Sequence, residues 1–427
     1  MTQRILPVAA LMLGSALLLF AGGLNTLVLP LRGIGEGFSA LSLGLLGTSW
    51  AAGYVVGCLT MPRLVARVGH IRAFSVMASL AGIAVLASLL IVSPVAWVGL
   101  RAVSGFCFSG AAMIVEGWLA QHSNPAHRGR IFGLYTMINL FATTAGQMAL
   151  SMGNPMGPEL FVVAGIVYML ALIPPALSST AQPAALVETR LDVPALYRRS
   201  PVAVVGVFMV GISNGAFGTL AAVYAAGLGL DLATVALFSS LPILAGGLAQ
   251  LPIGYASDRM DRRTVLAVVA FVAMLADLVF VLARPQSAMA VLAFAGVLGA
   301  AIFSMYPVIL AHANDHAPGD NHIAISGGLL AVFGVGAMVG PLLAGLVMQS
   351  VGGHGLFAMT AAAHAVLITH LLWRMTRRVA VPPEEKAVFV ATPPARTMTP
   401  QTAVLLPLGD TPAGPAGEAN PTTPDSG

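Results

Sequence analysis

Residues 254–263 read Gly-Tyr-Ala-Ser-Asp-Arg-Met-Asp-Arg-Arg, and this charged stretch lies between two long apolar segments. Asp258 would lie at the C-terminal end of the first apolar helix, where a carboxylate is unfavourable for the helix dipole unless a cation or a helix N-terminus faces it. We therefore interpret Asp258, Arg259 and Arg262 as a charge latch that stabilises one conformation and is released in another. The alternative is a basic loop that only sets topology.

The two flanking segments belong to a series of twelve. The chain is 57% hydrophobic and 8% charged, with a mean hydropathy of +0.89, whereas a soluble domain needs about a quarter of its residues charged. Each apolar segment has the roughly 20 residues that a helix needs to cross a bilayer. The predicted spans are 7–31, 41–62, 72–92, 95–120, 131–152, 159–178, 201–226, 231–256, 264–283, 287–312, 324–349 and 353–374. The composition thus predicts an all-α membrane protein.

The basic residues predict its orientation. Of the 20 Lys and Arg residues, only Arg32 and Arg284 fall on one side of the predicted membrane, Arg101 lies within it, and the remaining 17 share the side of the termini. Cytoplasmic loops carry the excess of basic residues. We expect a multi-pass protein of the bacterial inner membrane with both termini in the cytoplasm. A nucleic-acid partner is not indicated by the net charge of +4.

The chain also repeats itself. Thr26 and Thr219 correspond, as do Gly146 and Gly340, at an offset close to 193 residues, which predicts a duplicated bundle. The expected domains are an N-terminal six-helix bundle (1–178), a cytoplasmic linker (179–200), a C-terminal six-helix bundle (201–376) and a disordered tail rich in Pro and Thr (377–427).

The latch has a counterpart in the first half. The turn after the second apolar segment keeps Arg67, Gly69 and Arg72 but has Ala66 where the second half has an acid, and Pro62 where it has a glycine. We include Arg67, Gly69 and Arg72 in the latch, although a purely topological role is the stronger alternative here.

Two charged residues lie inside the fourth segment. Arg101 and Glu116 are costly in lipid and should face the protein interior. About 22 Å of helix separates them. Arg101 is a candidate for substrate or proton coupling. The alternative is a structural role in which it bonds to helix carbonyls. Glu116 is a candidate for proton coupling, or a buried partner of Arg128 or Arg130.

Further polar residues suggest a central cavity. Asn139, Thr143 and Gln147 recur every four residues along the fifth segment, and Asn214 and Phe217 share a face of the seventh. The remaining candidates, each also explicable as a bond between helices, are Asn25, Gln250 and Tyr306 for the solute pathway and Asp277 for proton coupling.

Several of these motifs resemble the major facilitator superfamily. They are the Gly254 turn, Arg101 followed by Gly105, and the Arg-Gly-Arg loop at 128–130. Together with Gly146–Gln147, these motifs resemble those of the YcaD-like branch of this superfamily. The resemblance covers about residues 7–375. A drug-antiporter Gly and Pro signature is absent from the fifth segment, although helix 11 has a similar one. The resemblance implies two pseudo-symmetric six-helix bundles, with helices 1, 4, 7 and 10 lining the pathway.

The function expected from the resemblance is secondary transport of a small solute by alternating access, with proton coupling left open. We expect a monomer with no cofactor, no metal and no enzymatic activity. The alternatives are a multidrug/proton efflux antiporter and a non-transporting membrane receptor or scaffold. An ATP-driven pump is disfavoured because the sequence contains no GxxxxGK[ST] phosphate loop.

Overall fold

The computed structural model describes residues 2–122, 128–177, 186, 192–316 and 322–402, and within these ranges it is helical, without strands. The first half contains α1 (Thr2–Gly35), α2 (Ala40–Val68), α3 (His70–Leu90), α4 (Pro94–His122), α5 (Arg128–Met148) and α6 (Glu159–Leu170, continued by Ile173–Ala176). The second half contains α7 (Pro201–Gly227), α8 (Leu232–Arg259), α9 (Arg262–Leu278, continued by the π turn Val279–Ala283), α10 (Ala288–Ile302 and Met305–Asn314), α11 (His322–Val351) and α12 (Gly355–Met375). The predicted twelve helices are confirmed.

Eleven of the twelve helices are long and apolar enough to cross a membrane by length and composition among the described residues. The remaining one is α5, which carries Asn139, Thr143, Thr144 and Gln147. It still packs along α1 as the fifth member of its bundle. Its polar residues are therefore placed in the protein interior, where they reduce its hydropathy without preventing burial.

Small residues set the close packing inside each half, and they do so in equivalent positions. A Cβ atom on Gly146 would collide with the backbone carbonyl of Phe20 on α1, and one on Gly340 would collide with that of Ile212 on α7. Close backbone approach through glycine is the usual way that membrane helices associate. The pairs α1–α5 and α7–α11 thus repeat the same contact in the two halves.

The two halves touch each other directly at one end of the bundle. We call the end that carries the α2–α3 turn at Gly69 and the α8–α9 turn the basic end. At the opposite end, Thr48 Oγ1 donates to the carbonyl of Met338 at 2.8 Å, and Ser240 Oγ lies 3.9 Å from the sulfur of Met148. The opposite end is therefore closed by contacts between α2 and α11 and between α5 and α8.

The segments outside the helices are described in part. Most of the predicted linker lies outside the described residues, and its last part forms the short helix Val193–Arg199. The tail from 377 was expected to be disordered, but residues 377–402 are placed against the bundle. The side chains of Thr392, Thr399 and Thr402 are buried. The backbone of Thr392 bonds to Gln250, and the hydroxyl groups of Thr399 and Thr402 bond to Glu116.

Candidate functional site

A central cavity lies between the two halves. Six of the predicted pathway residues line it, which are Arg101, Asn139, Thr143, Gln147, Asn214 and Phe217. Its wall also contains the aromatic rings of Trp50, Phe108, Tyr168 and Phe303. The cavity leaves about 110 Å³ for the centres of water-sized molecules, which is room for several waters or one small solute. Both halves contribute to one enclosed site.

Three other predicted pathway residues do not line this cavity. Asn25 is buried on α1, and its Oδ1 has no hydrogen-bond partner among the described residues. Tyr306 is buried against Phe333, with 5.8 Å between ring centroids. Gln250 binds the tail instead: its Nε2 donates to the carbonyl of Thr392 at 3.0 Å and its Oε1 accepts from the Thr392 N–H at 2.9 Å. Gln250 thus acts as an anchor for the tail.

Two guanidinium groups share the cavity. Arg101 enters from α4, and Arg396 enters from the tail, where it lies over the ring of Trp50 with its Cζ 4.7 Å from the ring centroid. Arg396 also packs against Gly218 on α7. Burial, and then the positive charge of Arg101, lower the pKa of Arg396 to about 9. No carboxylate lines this cavity within the described residues, so its electrostatic potential is positive.

Several polar side chains of the cavity wall contain an oxygen atom without a partner. Among the described residues, Asn139 Oδ1, Gln147 Oε1 and Asn214 Oδ1 are buried and form no hydrogen bond, and the same holds for Thr219 Oγ1. Buried polar atoms are nearly always hydrogen-bonded in folded proteins. The side-chain amides of Asn139, Gln147 and Asn214 line the cavity and can donate to or accept from a guest molecule, and they come from α5 in one half and α7 in the other.

Glu116 lies nearer the basic end, where it meets the tail. Its carboxylate accepts hydrogen bonds from Thr402 Oγ1 at 2.8 Å, from the Thr399 hydroxyl, and from Tyr135 Oη at 3.3 Å. Arg130, one of its two predicted partners, is exposed, and the side chain of the other, Arg128, lies outside the described residues. The structure thus places Glu116 in a shell of hydroxyl groups between α4, α5 and the tail.

Asp277 lies away from the cavity. Its Oδ2 is 2.8 Å from Nδ1 of His364, and both side chains are fully buried at the contact between α9 and α12. Thr360 lies on the same face of α12 and is also buried. This geometry is that of a polar bond between two helices of one half, and it does not bring Asp277 to the solute pathway.

The latch residues of the second half form a connected network. Arg262 is buried and bonds Asp258 Oδ1 at 3.1 Å, Ser257 Oγ at 2.7 Å and Asp315 Oδ2 at 2.7 Å. Burial raises the pKa of Asp315 above its usual value, although hydrogen bonds from Arg262 act in the other direction. Arg259 lies apart from the network, with its guanidinium 3.5 Å from the ring centroid of Tyr255. Arg262 is therefore the centre of this network.

In the first-half counterpart, Arg67 and Arg72 are exposed. Gly69 has a φ of 84° and its N–H donates to the carbonyl of Val65, so it ends α2 in the backbone region that favours glycine. The position that corresponds to Asp258 is occupied by Ala66, so this turn lacks the acid that Arg262 bonds in the second half.

Sequence reasoning missed five residues that contribute to these sites, namely Trp50, Asp315, Arg396, Thr399 and Thr402. Asp315 carried a usable signal, because an acid at the end of the tenth helix lies at the same end as the basic turn of Arg262. The tail residues carried none, since their composition is that of a solvated segment. Their role depends on contacts more than 100 positions away along the chain.

The fold and the two-sided cavity are those of a membrane transporter. The model of the Major Facilitator Superfamily matches residues 11–196 and 203–411, and the chain belongs to this family. Curated relatives include an uncharacterized MFS-type transporter of Yersinia pestis (strain Pestoides F), 28% identical over 371 residues, covering 86% of this chain and 95% of the relative. The uncharacterized MFS-type transporter YcaD of Salmonella arizonae is 29% identical with the same coverage. The resemblance to the YcaD-like branch is confirmed.

Solved structures support the fold. The nucleoside transporter NupG superimposes with a TM-score of 0.73 at 12% identity, covering 87% of this chain and 99% of NupG. A bacterial homolog to the human lysosomal transporter Spinster, in an inward-facing and occupied conformation, gives a TM-score of 0.71 at 14% identity, covering 87% and 96%. The protein is thus a multi-pass membrane transporter with two pseudo-symmetric bundles.

Proposed function

We propose that this protein is a secondary active transporter that moves a small solute across the bacterial inner membrane by alternating access. The observation that carries the proposal is the central cavity, which takes its lining from both halves and is closed by direct contacts at the opposite end. Rocking of the halves about such a midplane site exposes it to each side in turn.

The orientation follows from charge. We propose that the basic end faces the cytoplasm, because 17 of the 20 Lys and Arg residues fall on this side in the predicted topology. The closed opposite end then faces the periplasm, and the cavity is reached from the cytoplasm along the path that the tail occupies. In this arrangement the Arg262 network stabilises the basic end of the second half, as proposed for the latch.

Proton coupling is part of the proposal, and Glu116 is the better placed of its two candidates. Glu116 accepts hydrogen bonds from the tail, which also bonds to the second half, whereas Asp277 is enclosed within one half. A carboxyl group that gains and loses its hydroxyl partners as the halves move would change its proton affinity during the cycle.

The test is flux in proteoliposomes containing the purified protein, with and without an imposed proton gradient. A panel of small polar metabolites is compared with lipophilic cationic dyes. Accumulation of a metabolite that depends on the protein supports the proposal. Movement of the dyes alone would support the drug antiporter hypothesis. Absence of flux for every solute would support the hypothesis of a non-transporting receptor.

A further inference from the structure

The cavity is lined by two cations, Arg101 and Arg396, and by no carboxylate among its described lining residues. Arg101 is 6% exposed and Arg396 is half-buried, and neither forms an ion pair within the described residues. Taking a charge out of water without a counter-charge is strongly unfavourable. A negatively charged guest between the two groups removes this penalty, and the planar guanidinium fork matches a carboxylate in geometry.

The neutral groups of the cavity restrict the guest further. Asn139, Gln147 and Asn214 line the cavity, and their side-chain amides can both donate and accept hydrogen bonds. Hydroxyl groups also donate and accept, so they are the matching neutral groups on a negatively charged guest. Because these amides come from α5 and α7, the hydroxyl groups of the guest span the two halves. The remaining space admits only a small molecule.

We infer that the solute is a small hydroxylated organic anion, held with its carboxylate at Arg101 and Arg396 and with its hydroxyl groups at the side-chain amides of α5 and α7. This inference rests on the transport function proposed above. It separates the two functional alternatives, because a lipophilic cation would meet two like charges in the cavity. The ring of Trp50, which could otherwise hold a cation, is already covered by Arg396.

Binding to the purified full-length protein tests the anion directly, without any transport. Thermal unfolding is followed in chloride-free buffer with lactate or gluconate and with the uncharged polyols glycerol and sorbitol. We expect at least one anion to raise the melting temperature while the polyols do not. Arg101→Gln and Arg396→Gln should each weaken the apparent affinity at least tenfold. Arg377→Gln is the matched control, since Arg377 is an exposed residue of the same tail.

Arg101→Lys keeps the positive charge but lacks the planar guanidinium group, so it should recover part of the anion affinity. Such recovery would show that weak anion binding by Arg101→Gln does not result from misfolding. Equal stabilisation by a polyol, no stabilisation by either anion, or unchanged anion affinity in Arg101→Gln overturns the inference. Flux of an uncharged solute without anion binding would contradict the anionic solute but support the transport function. Anion binding without any flux would support the anionic ligand but contradict the transport function.

A different set of contacts concerns the tail itself. Residues 386–402 bond to both halves: Tyr54 Oη, in the middle of α2, donates to the carbonyl of Met398 at 2.8 Å in the first half, and the Phe389 N–H donates to Asp258 at 3.2 Å at the basic end of the second. The ring of Phe389 packs on Gly254, where a Cβ atom would collide with it. Where the halves meet directly at the opposite end, here they meet through the tail.

We propose that residues 386–402 form an internal plug that closes the cytoplasmic path to the cavity and withdraws when solute enters or leaves from that side. The plug uses the groups of the path as its own partners, including the Gln250 amide and the Glu116 carboxylate. The same contacts place Arg396 in the cavity, so the plug delivers one of the two cations that face the solute.

Cys58 reports whether the plug is seated. It lines a second cavity together with Ala395, Arg396 and Pro400 of the plug. In a Cys107→Ala background, a membrane-impermeant maleimide is applied to the protein in nanodiscs. Deleting 386–427 should raise the labelling rate of Cys58 at least tenfold, and deleting only 403–427 should leave it unchanged. Equal rates in the full-length chain and in the chain lacking 386–427 overturn the plug.

The milder change Thr399→Val with Thr402→Val removes the hydroxyl donors to Glu116 while keeping the length of the tail. It should raise the labelling rate to an intermediate value. This variant keeps the test valid if the long deletion disturbs folding, because it alters two methyl-sized groups only. A labelling rate equal to that of the full-length protein again contradicts the proposal.

Discussion

Thr402 Oγ1 donates a hydrogen bond of 2.8 Å to Glu116 Oε2, and this bond joins the last described residue of the chain to the middle of the first half. Glu116 is 1% exposed, so its carboxylate depends on these hydroxyl partners in place of water. A buried carboxylate needs such partners to remain in the interior. Any movement of the tail therefore changes the surroundings of Glu116.

Glu116→Gln should abolish accumulation driven by a proton gradient while solute exchange persists. Glutamine keeps the size of the side chain and can accept hydrogen bonds from Thr399 and Thr402, but it cannot carry a proton at neutral pH. The measurement is uptake into proteoliposomes with and without the gradient, beside exchange at equal solute concentrations. Accumulation equal to that of the unaltered protein would remove Glu116 from the coupling mechanism.

Asp277→Asn should lower stability and leave solute affinity unchanged. The change weakens the bond between Asp277 and His364, and polar bonds between membrane helices contribute about 1 kcal/mol. Thermal unfolding in detergent measures the loss, and gradient-driven uptake serves as the comparison with Glu116→Gln. Loss of coupling without loss of stability would instead identify Asp277 as the proton carrier.

The helices were predictable because the bilayer imposes a length and an apolar composition that the sequence displays directly. The cavity residues of α5 were predictable for a similar reason: a four-residue spacing puts Asn139, Thr143 and Gln147 on one face, and polar groups avoid lipid. What could not be predicted is pairing across long separations. His364 lies 87 positions from Asp277, and nothing local to either residue indicates the other.

The conformation of the tail also depends on contacts with residues far away in the sequence. A segment such as 386–402 contains too few apolar residues to build a core of its own. In the structure its polar groups are satisfied by partners in the path between the halves, namely the Gln250 amide, the Glu116 carboxylate and the ring of Trp50. The composition of a segment indicates only whether the segment can fold alone. The conformation of residues 386–402 depends on their contacts with the helices.

Asp315→Asn should destabilise the basic end of the second half. Arg262 would lose its 2.7 Å partner while remaining buried, and removing one member of a buried ion pair typically costs about 3 kcal/mol or more. The variant should unfold at lower temperature and lose the protection of Cys58, since Asp315 Oδ1 also accepts from the Ala387 N–H of the plug. Asp231→Asn is the control, because Asp231 caps α8 at the opposite end.

A normal melting temperature and normal Cys58 protection in Asp315→Asn would show that Arg262 is held by Asp258 alone. The intermediate result, lower stability with a protected Cys58, would separate the latch from the plug. In that case Asp315 would stabilise the α8–α9 turn through Arg262 without controlling access to the cavity.

Gly146→Ala and Gly133→Ala should have opposite effects although both lie on α5. At Gly146 the added methyl group meets the backbone of Phe20, which cannot move without separating α1 from α5, and overpacking of this kind costs about 1–3 kcal/mol. At Gly133 nothing lies within 4 Å of the new Cβ, so the substitution gains up to about 1 kcal/mol from helix propensity. Thermal unfolding of the two variants measures the difference. Equal melting temperatures would mean that α1 and α5 are not packed at Gly146 as described, and the symmetry with Gly340 on α11 would then fail as well.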